Sequence, residues 1–359
     1  MLYVLFFEPT FRSNFQVYVG VVKLSTIDVL ALTLGKETPS SRFRVRKLIN
    51  DLSLCGVNVT EHYAKYGGYP PAGLFNRLKW LPKTALNSYT RVTKADKYDV
   101  TWIQKPLIST LYSFERFCKS PMVFDVDDAV HLRGENCKKI AIKSEHVICG
   151  NEFLAEYYAK YSNVSIIPTA VDTDYFLPAT NKLSNDIIVG WSGSSSGFKF
   201  LYDIEEQLLV LVHKFPELII KIVSNQKPDF KLLPEKNVQY VRWSPENEVT
   251  EIQNFTVGLM PLSDTPWSRG KCSYKMLTYM SAGIPVVVSG VGMNIEIMNH
   301  GQCGLLMKKN EEWAEAIESV ILSRELQINM GNIGREIVCD HYSNKVIAPK
   351  LAKVLKGFV

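Results

Sequence analysis

The sequence predicts a two-domain α/β chain, and three observations predict it. In the N-terminal half, short apolar runs alternate with helix-length segments, the pattern of parallel strands covered by helices. Residues 173–185 are polar and irregular, as expected of an interdomain linker. At Ile187 a new apolar strand begins, followed by a small-residue loop and a helix, so the alternation restarts. A length of 359 residues exceeds what one core usually organises and suits two domains.

Taken in order, the first strand is expected at Ile27–Leu34. Gly35 to Pro39 turns the chain, and Ser40 or Ser41 caps a helix running to about Leu54. Phe43, Val45, Leu48, Ile49 and Leu52 form its apolar stripe. Arg42, Arg44, Arg46 and Lys47 crowd its first turns, where cations oppose the helix dipole unless an anion answers them. A solvated basic face is the plainer explanation. Val57–His62 is the next strand. Residues 63–83 hold six Gly and Pro and five aromatic residues and read as a long loop, functional or mobile, for contact with a substrate or a membrane or else loosely packed. Strands follow at Asp99–Gln104, Met122–Asp128, Val147–Gly150 and Val164–Pro168, with helices at Ser109–Cys118 and from Asn151 to about Tyr161.

In the second half, strands are expected at Ile187–Trp191, Leu218–Val223, Val238–Arg242, Val257–Pro261 and Val286–Val288. Helices fall at about 201–214, 246–254 and 274–282. A turn and strand at Gly301–Met307, helices Glu311–Leu322 and Glu325–Val338, and a last helix from Asn344 to Leu355 complete the chain. Residues 1–24 precede the first strand and read as an extension. Its MLYVLFF start has no basic flank and no cleavage site, which argues against a signal peptide. An arm, an apolar foothold on a membrane, or upstream sequence from a misassigned start all fit.

Composition excludes several classes. With 46% hydrophobic and 21% charged residues the mix is that of a globular domain. Seven scattered cysteines form no C-x-x-C pair, which argues against a disulfide framework or zinc site and suits a reducing cytosol. No run of 18 apolar residues is present. The net charge is +5, but Lys36 to Lys105 holds thirteen Lys and Arg against five Asp and Glu. That half suits an anionic partner, either membrane phospholipid or a lipid diphosphate. Nucleic acid is disfavoured, because no nucleic-acid module is recognisable.

The most informative stretch is Pro261 to Val287. A loop carries Arg269, Gly270, Lys271 and Cys272; Ser273 stands where an N-cap belongs, and a helix follows to Ala282. Gly283 and Pro285 stop it. Lys275 falls in the first turn, where a cation costs roughly 0.3–1 kcal/mol against the dipole. Free N–H groups beside Lys271, Lys275 and Arg269 describe an anion site, most naturally for phosphate. A solvated basic loop is the alternative. The small-residue loop Ser192–Gly197 lets backbone approach a phosphate but matches neither a dinucleotide fingerprint nor a Walker loop.

The stretch resembles the donor-binding segment of the retaining GT-B glycosyltransferases of family 4, in their bacterial surface-polysaccharide branch. Trp267, Gly270, Lys271, Cys272, Lys275, Leu277, Tyr279, Met280, Gly283, Pro285, Val286 and Val287 fall in register with it. Pro39–Arg46, Gly150-Asn151, Pro168–Asp172, Gly190–Ser194 and the Trp243–Glu248 region extend the resemblance over about Ile27 to Leu355. Thr278 stands where the family usually places an acidic or amide residue for the ribose, Gly270 where the wider family has a glutamate, and Thr256 where it often has aspartate.

The resemblance implies two Rossmann-like domains facing across a cleft, an acceptor-side domain at 25–175 and a donor-binding domain at 186–340. It also implies that residues 341–359 cross back onto the first domain. Lys271 and Lys275 would hold the diphosphate. Gly193, Ser194, Ser195, Arg269, Gly270, Ser273 and Thr278 would complete the donor site, and Ser41, Arg42 and Arg44 would face the cleft from the acceptor side. Asp127 and Asp128 are candidates for positioning the acceptor or taking its proton, or else cap a loop. His131 is a lone candidate base. Asp125-Val-Asp127 also fits the D-x-D metal pattern of the other major glycosyltransferase fold, but alternate strand residues point to opposite faces. The family implies no metal and no cofactor. Its partners would be a nucleotide diphosphosugar and a glycan or lipid-linked acceptor, at the cytoplasmic face of a membrane. A non-catalytic sugar-nucleotide or lipid-binding partner of a glycosylation complex, or a sugar-nucleotide epimerase, is the alternative.

Overall fold

The run Ile27–Thr33, IDVLALT, forms strand β1, buried along nearly its whole length because parallel strands are covered on both faces. The structure is a computed structural model. It describes residues 26–109, 111–180 and 186–359, together with the backbone of Val4–Leu5 and Val19–Gly20, which pair antiparallel. The rest of the expected 1–24 extension lies outside the described residues.

After β1 the chain winds through an irregular helical stretch, Ser41–Leu48, into helix α1 (Ile49–Leu54) and strand β2 (Val57–Tyr63). Helix α2 spans Leu74–Val92, and β3 is Val100–Gln104. Then come β4 (Met122–Val126), α3 (Asn136–Lys143), β5 (His146–Cys149), α4 (Glu152–Tyr158) and β6 (Val164–Ile166). The six strands make one parallel sheet, ordered β2-β1-β3-β4-β5-β6.

The second sheet is built from β7 (Ile188–Ser192), β8 (Ile219–Ser224), β9 (Val238–Arg242), β10 (Val257–Met260), β11 (Val286–Ser289) and β12 (Gly304–Met307). Its order is β9-β8-β7-β10-β11-β12, all parallel, which is the Rossmann order. Helices α5 (Phe198–Tyr202), α6 (Glu205–Lys214), α7 (Glu248–Gln253), α8 (Pro266–Arg269), α9 (Tyr274–Ser281) and α10 (Met293–Met298) lie among these strands. Helices α11 (Trp313–Leu322) and α12 (Arg324–Ile337) cover the sheet. The final helix, α13 (Asn344–Lys356), leaves this domain. Its Ile347, Leu351 and Leu355 pack with Ile27, Val29, Leu48 and Leu52 of the first.

Two local expectations are corrected. Residues 63–83 are not a loop throughout, because α2 starts at Leu74 and runs through Pro82. The expected helix Ser109–Cys118 is a single 3₁₀ turn, Phe114–Phe117. Glu115 explains the second difference. Its carboxylate is fully buried and accepts from the amides of Leu107 and Ser113, so it ties down a loop instead of extending a helix.

Candidate active site

Ligands of open parallel sheets sit beyond the carboxyl ends of the strands, where strand order reverses. In the second sheet that point lies between β7 and β10, and Ser192, Gly193 and Met260 stand there. They line a cavity of about 510 Å³. Its opposite wall is Glu37, Pro39, Ser40, Arg42, Asp127 and Asp128 from the first domain, so the cavity is the cleft between the domains.

Lys271 and Lys275 both line it. The turn Ser268–Cys272 carries Lys271, and Asn151 of the first domain donates to the carbonyls of Arg269 and Lys271 at 3.1 and 3.0 Å. Cys272 Sγ reaches the Asp127 carbonyl at 3.2 Å. Gly150 is required at this seam, since a Cβ there would lie 2.2 Å from Cys272 Sγ. Lys275 lies over the Trp191 ring at 5.1 Å and under Gly193, where a Cβ would meet its Cε at 2.2 Å. Burial lowers the Lys275 ammonium to about 7, and neighbouring Lys271 adds to the effect. Thr278 also lines the cavity, with its hydroxyl donating to the Lys275 carbonyl at 2.7 Å.

Several predicted donor contacts are placed differently. Ser273 lies in the left-handed region at φ 48° and makes no cap; its hydroxyl donates to Asn294 at 2.7 Å, though the residue still lines the cavity. Arg269 turns away and pairs with Asp264 at 2.7 Å. Gly270 instead allows the domains to touch, since a Cβ would come within 2.6 Å of Ala129. The Gly193 amide is engaged by the Val223 carbonyl and the Ser195 amide by Asn225; Gly193 and Ser194 still line the cavity and Ser195 does not.

On the first-domain side of the cleft, Arg42 lines the cavity, lies 3.5 Å from Glu248 and stacks over Trp243. Burial raises the Glu248 carboxyl, against the pull of Arg42. Ser41 is fully buried, and so is Arg44, which makes a two-pronged pair with Asp125 at 3.0 Å. Neither faces the cleft. Asp125 also accepts from Trp102, so it belongs to the core and does not share a ligand position with Asp127. Thr256 sits at the opposite end of β10, accepting from the Ile188 amide. His131 stacks on Tyr157 at 4.0 Å, away from the cavity. Among the described residues no cluster of three or more His, Cys, Asp or Glu is arranged to hold a metal.

Sequence reasoning missed Lys105. It follows β3 in a left-handed conformation, φ 62°, and is buried. Its ammonium lies 2.9 Å from Asp127, 2.6 Å from Asp128 and 2.7 Å from the Ser40 hydroxyl. Burial alone would lower its pKa, but the two carboxylates outweigh that and raise it. Burial would likewise raise Asp127, yet Lys105 holds it below the usual carboxylate range. A lone lysine after a strand carries no spacing signal; only its positive φ and burial single it out.

Two Rossmann-like domains meeting across such a cleft, with the last helix returned to the first, form the GT-B fold. Comparison with known proteins agrees. Residues 194–323 match the family described as Glycosyl transferases group 1. A 160-residue stretch is 25% identical to Glucosyltransferase 3 of Streptococcus gordonii, covering 40% of this chain and 47% of that protein, so the match spans about half its length. Sucrose-phosphate synthase from Thermosynechococcus elongatus superposes with a TM-score of 0.71 at 16% identity, over 92% of this chain and 98% of that one. Anabaena HepE, solved with UDP, superposes at 0.68 with 15% identity, over 92% and 100%. A further HepE structure holds UDP-glucose.

Proposed function

We propose that this chain is a glycosyltransferase that moves a sugar from a nucleotide diphosphosugar to a hydroxyl acceptor. It works with retention at the anomeric carbon and without a metal, in surface-polysaccharide or glycolipid synthesis. The observation that carries the reading is the pair Lys271 and Lys275 directed into an interdomain cleft at the topological switch point of a Rossmann sheet. As the bond between the anomeric carbon and phosphate oxygen breaks, negative charge grows on the leaving diphosphate, and preorganised cations there stabilise it most. The acceptor oxygen forms the new bond to that carbon and passes its proton to the departing phosphate oxygen, so that nucleoside diphosphate leaves. Asp128, partly open to the cleft and held by Lys105, would orient the acceptor hydroxyl. Closure of the cleft excludes water that would hydrolyse the donor.

The likeness to HepE, which holds UDP, makes uridine donors the first to test. The test is release of nucleoside diphosphate from a donor panel with membrane extract as acceptor, with and without chelator, and product anomer assigned by NMR. Release that survives chelation and is lost in Lys271→Ala and Lys275→Ala supports the reading. Release that persists in both variants, or binding of donor with no release, overturns it. Release without any acceptor and with the sugar epimerised favours the epimerase.

A further inference from the structure

Helix α2 is inside out. Residues i, i+4 and i+7 share a helix face. On the face toward the domain lie Thr84, Ser88 and Arg91, all buried, with Val92 the one apolar residue of the helix in the core, and the Thr84 and Ser88 hydroxyls have no hydrogen-bond partner among the described residues. On the opposite face Phe75, Leu78 and Leu86 each expose between 63% and 67% of their surface, with Tyr89 between them, and Leu74 and Leu81 extend the exposed apolar arc along one flank. An amphipathic helix of a water-facing surface has the reverse arrangement.

The apolar face does not end with the helix. Tyr89 meets Phe114 at 5.8 Å, and Phe114 meets the exposed Phe117 at 6.2 Å. Contiguous exposed apolar surface of this kind marks an interaction site. Charge identifies the partner. Lys79 and Lys83 flank the apolar arc on one side and Arg77 on the other, all exposed. Between His62 and Ala95 the chain holds six Lys and Arg and no Asp or Glu.

We infer that α2 and the Phe114–Phe117 turn form the docking face of this protein for an anionic lipid bilayer, with the apolar arc lodged among acyl chains and the flanking cations at phosphate level. The helix is pinned to the acceptor-side rim of the cleft. Arg91 donates to the carbonyls of Thr33, at the end of β1, and His62, near the end of β2. A bilayer seated on α2 would therefore bring a lipid-linked hydroxyl acceptor to the cleft mouth. That consequence rests on the proposed glycosyl transfer; the docking rests on α2 alone.

The test is co-sedimentation of the full chain with vesicles, without donor. Phosphatidylcholine–phosphatidylglycerol vesicles are compared with phosphatidylcholine alone, at low and high salt. The protein is expected to pellet with the anionic vesicles and to be released by salt. Lys79→Gln with Lys83→Gln should weaken binding about fivefold per cation removed at low salt. Phe75→Ser with Leu78→Ser should weaken it about tenfold or more. These four positions are exposed and outside the cavity, so nucleotide binding serves as the check on folding. Equal binding to both vesicle types, or undiminished binding of Phe75→Ser/Leu78→Ser, overturns the inference. So does a dimer that this variant dissociates, or vesicle binding that appears only once residues 1–25 are removed. Intact vesicle binding without sugar transfer would overturn the proposed function instead and leave the docking face standing.

Discussion

At the scale of residues, Lys275 is kept where it destabilises the free protein. Its ammonium is lowered to about 7, while an unfolded lysine titrates near 10.4. Between those values the unfolded chain holds the proton and the folded chain does not, so stability rises with pH across the window. Below about 7 both states are protonated and the cost is fully present. Lys275→Met should therefore raise the melting temperature of the free protein at pH 6 by a few degrees, the effect of about 1 kcal/mol in a domain of this size. The same variant should bind UDP about 10–100-fold more weakly, the loss of a hydrogen bond to a charged group. Calorimetry and titration read the two effects, and a variant weaker in both would contradict the argument. A diphosphate needs the charged amine, so UDP affinity of the wild-type protein should be flat below about pH 7 and fall above it. Lys105 is the opposite case, a buried cation that two carboxylates fully answer. Removing it by Lys105→Met leaves Asp127 and Asp128 close together with no cation at hydrogen-bonding distance. Breaking a buried pair costs about 3–5 kcal/mol, which urea denaturation would register.

At the scale of elements, the turn Ser268–Cys272 is held from across the cleft. Asn151 donates to two of its carbonyls, so Asn151→Ala should loosen Lys271 without touching any ligand atom. Two buried acceptors would lose their partner, at about 1–3 kcal/mol each. The expected signature is a fall in kcat of ten- to a hundredfold with UDP affinity reduced less, because Lys275 stays on its helix. A fall in affinity alone would place the effect on Lys275. The Lys271–Lys275 spacing was legible because a helix start fixes it, and the strand alternation was legible because each strand is a short apolar run between turns. Asn151 is an N-cap, readable as such, but its second duty crosses 118 positions of sequence and leaves no local trace. Ser273 has the residue type of a cap, yet tertiary contact with Asn294 put it in the left-handed region and overrode that preference. Helix α2 was hidden for a related reason. Pro70, Pro71, Gly73 and Pro82 signal a loop, and its apolar face is directed away from the domain, so helical periodicity did not point to a core.

At the scale of the whole molecule, the seam between the domains is what must open and close. Phe43 of the first domain stacks on Tyr274 of the second at 3.8 Å, and Arg42 spans to Glu248 beside them. Val171 and Ser343 form a bridge where the two chain crossings meet, with α13 anchored on the first sheet beyond it. Two crossings side by side are where a hinge is expected, and the aromatic stack on the cleft side is expected to act as its latch. An aromatic pair contributes about 0.5–1.5 kcal/mol beyond its buried area, enough to shift an open–closed balance several-fold to about tenfold but not to unfold either domain. Phe43→Ala should therefore leave the melting temperature nearly unchanged and shift the free protein toward a wider form, seen as a larger radius of gyration by small-angle scattering. UDP should restore the closed dimension, since Lys271 reaches the cleft from a turn tied by Asn151 to the first domain. Transfer should slow and donor hydrolysis should rise relative to it, because a leaking cleft admits water. A radius identical to wild type with transfer lost would mean that Phe43 acts on the acceptor directly and that the latch lies elsewhere.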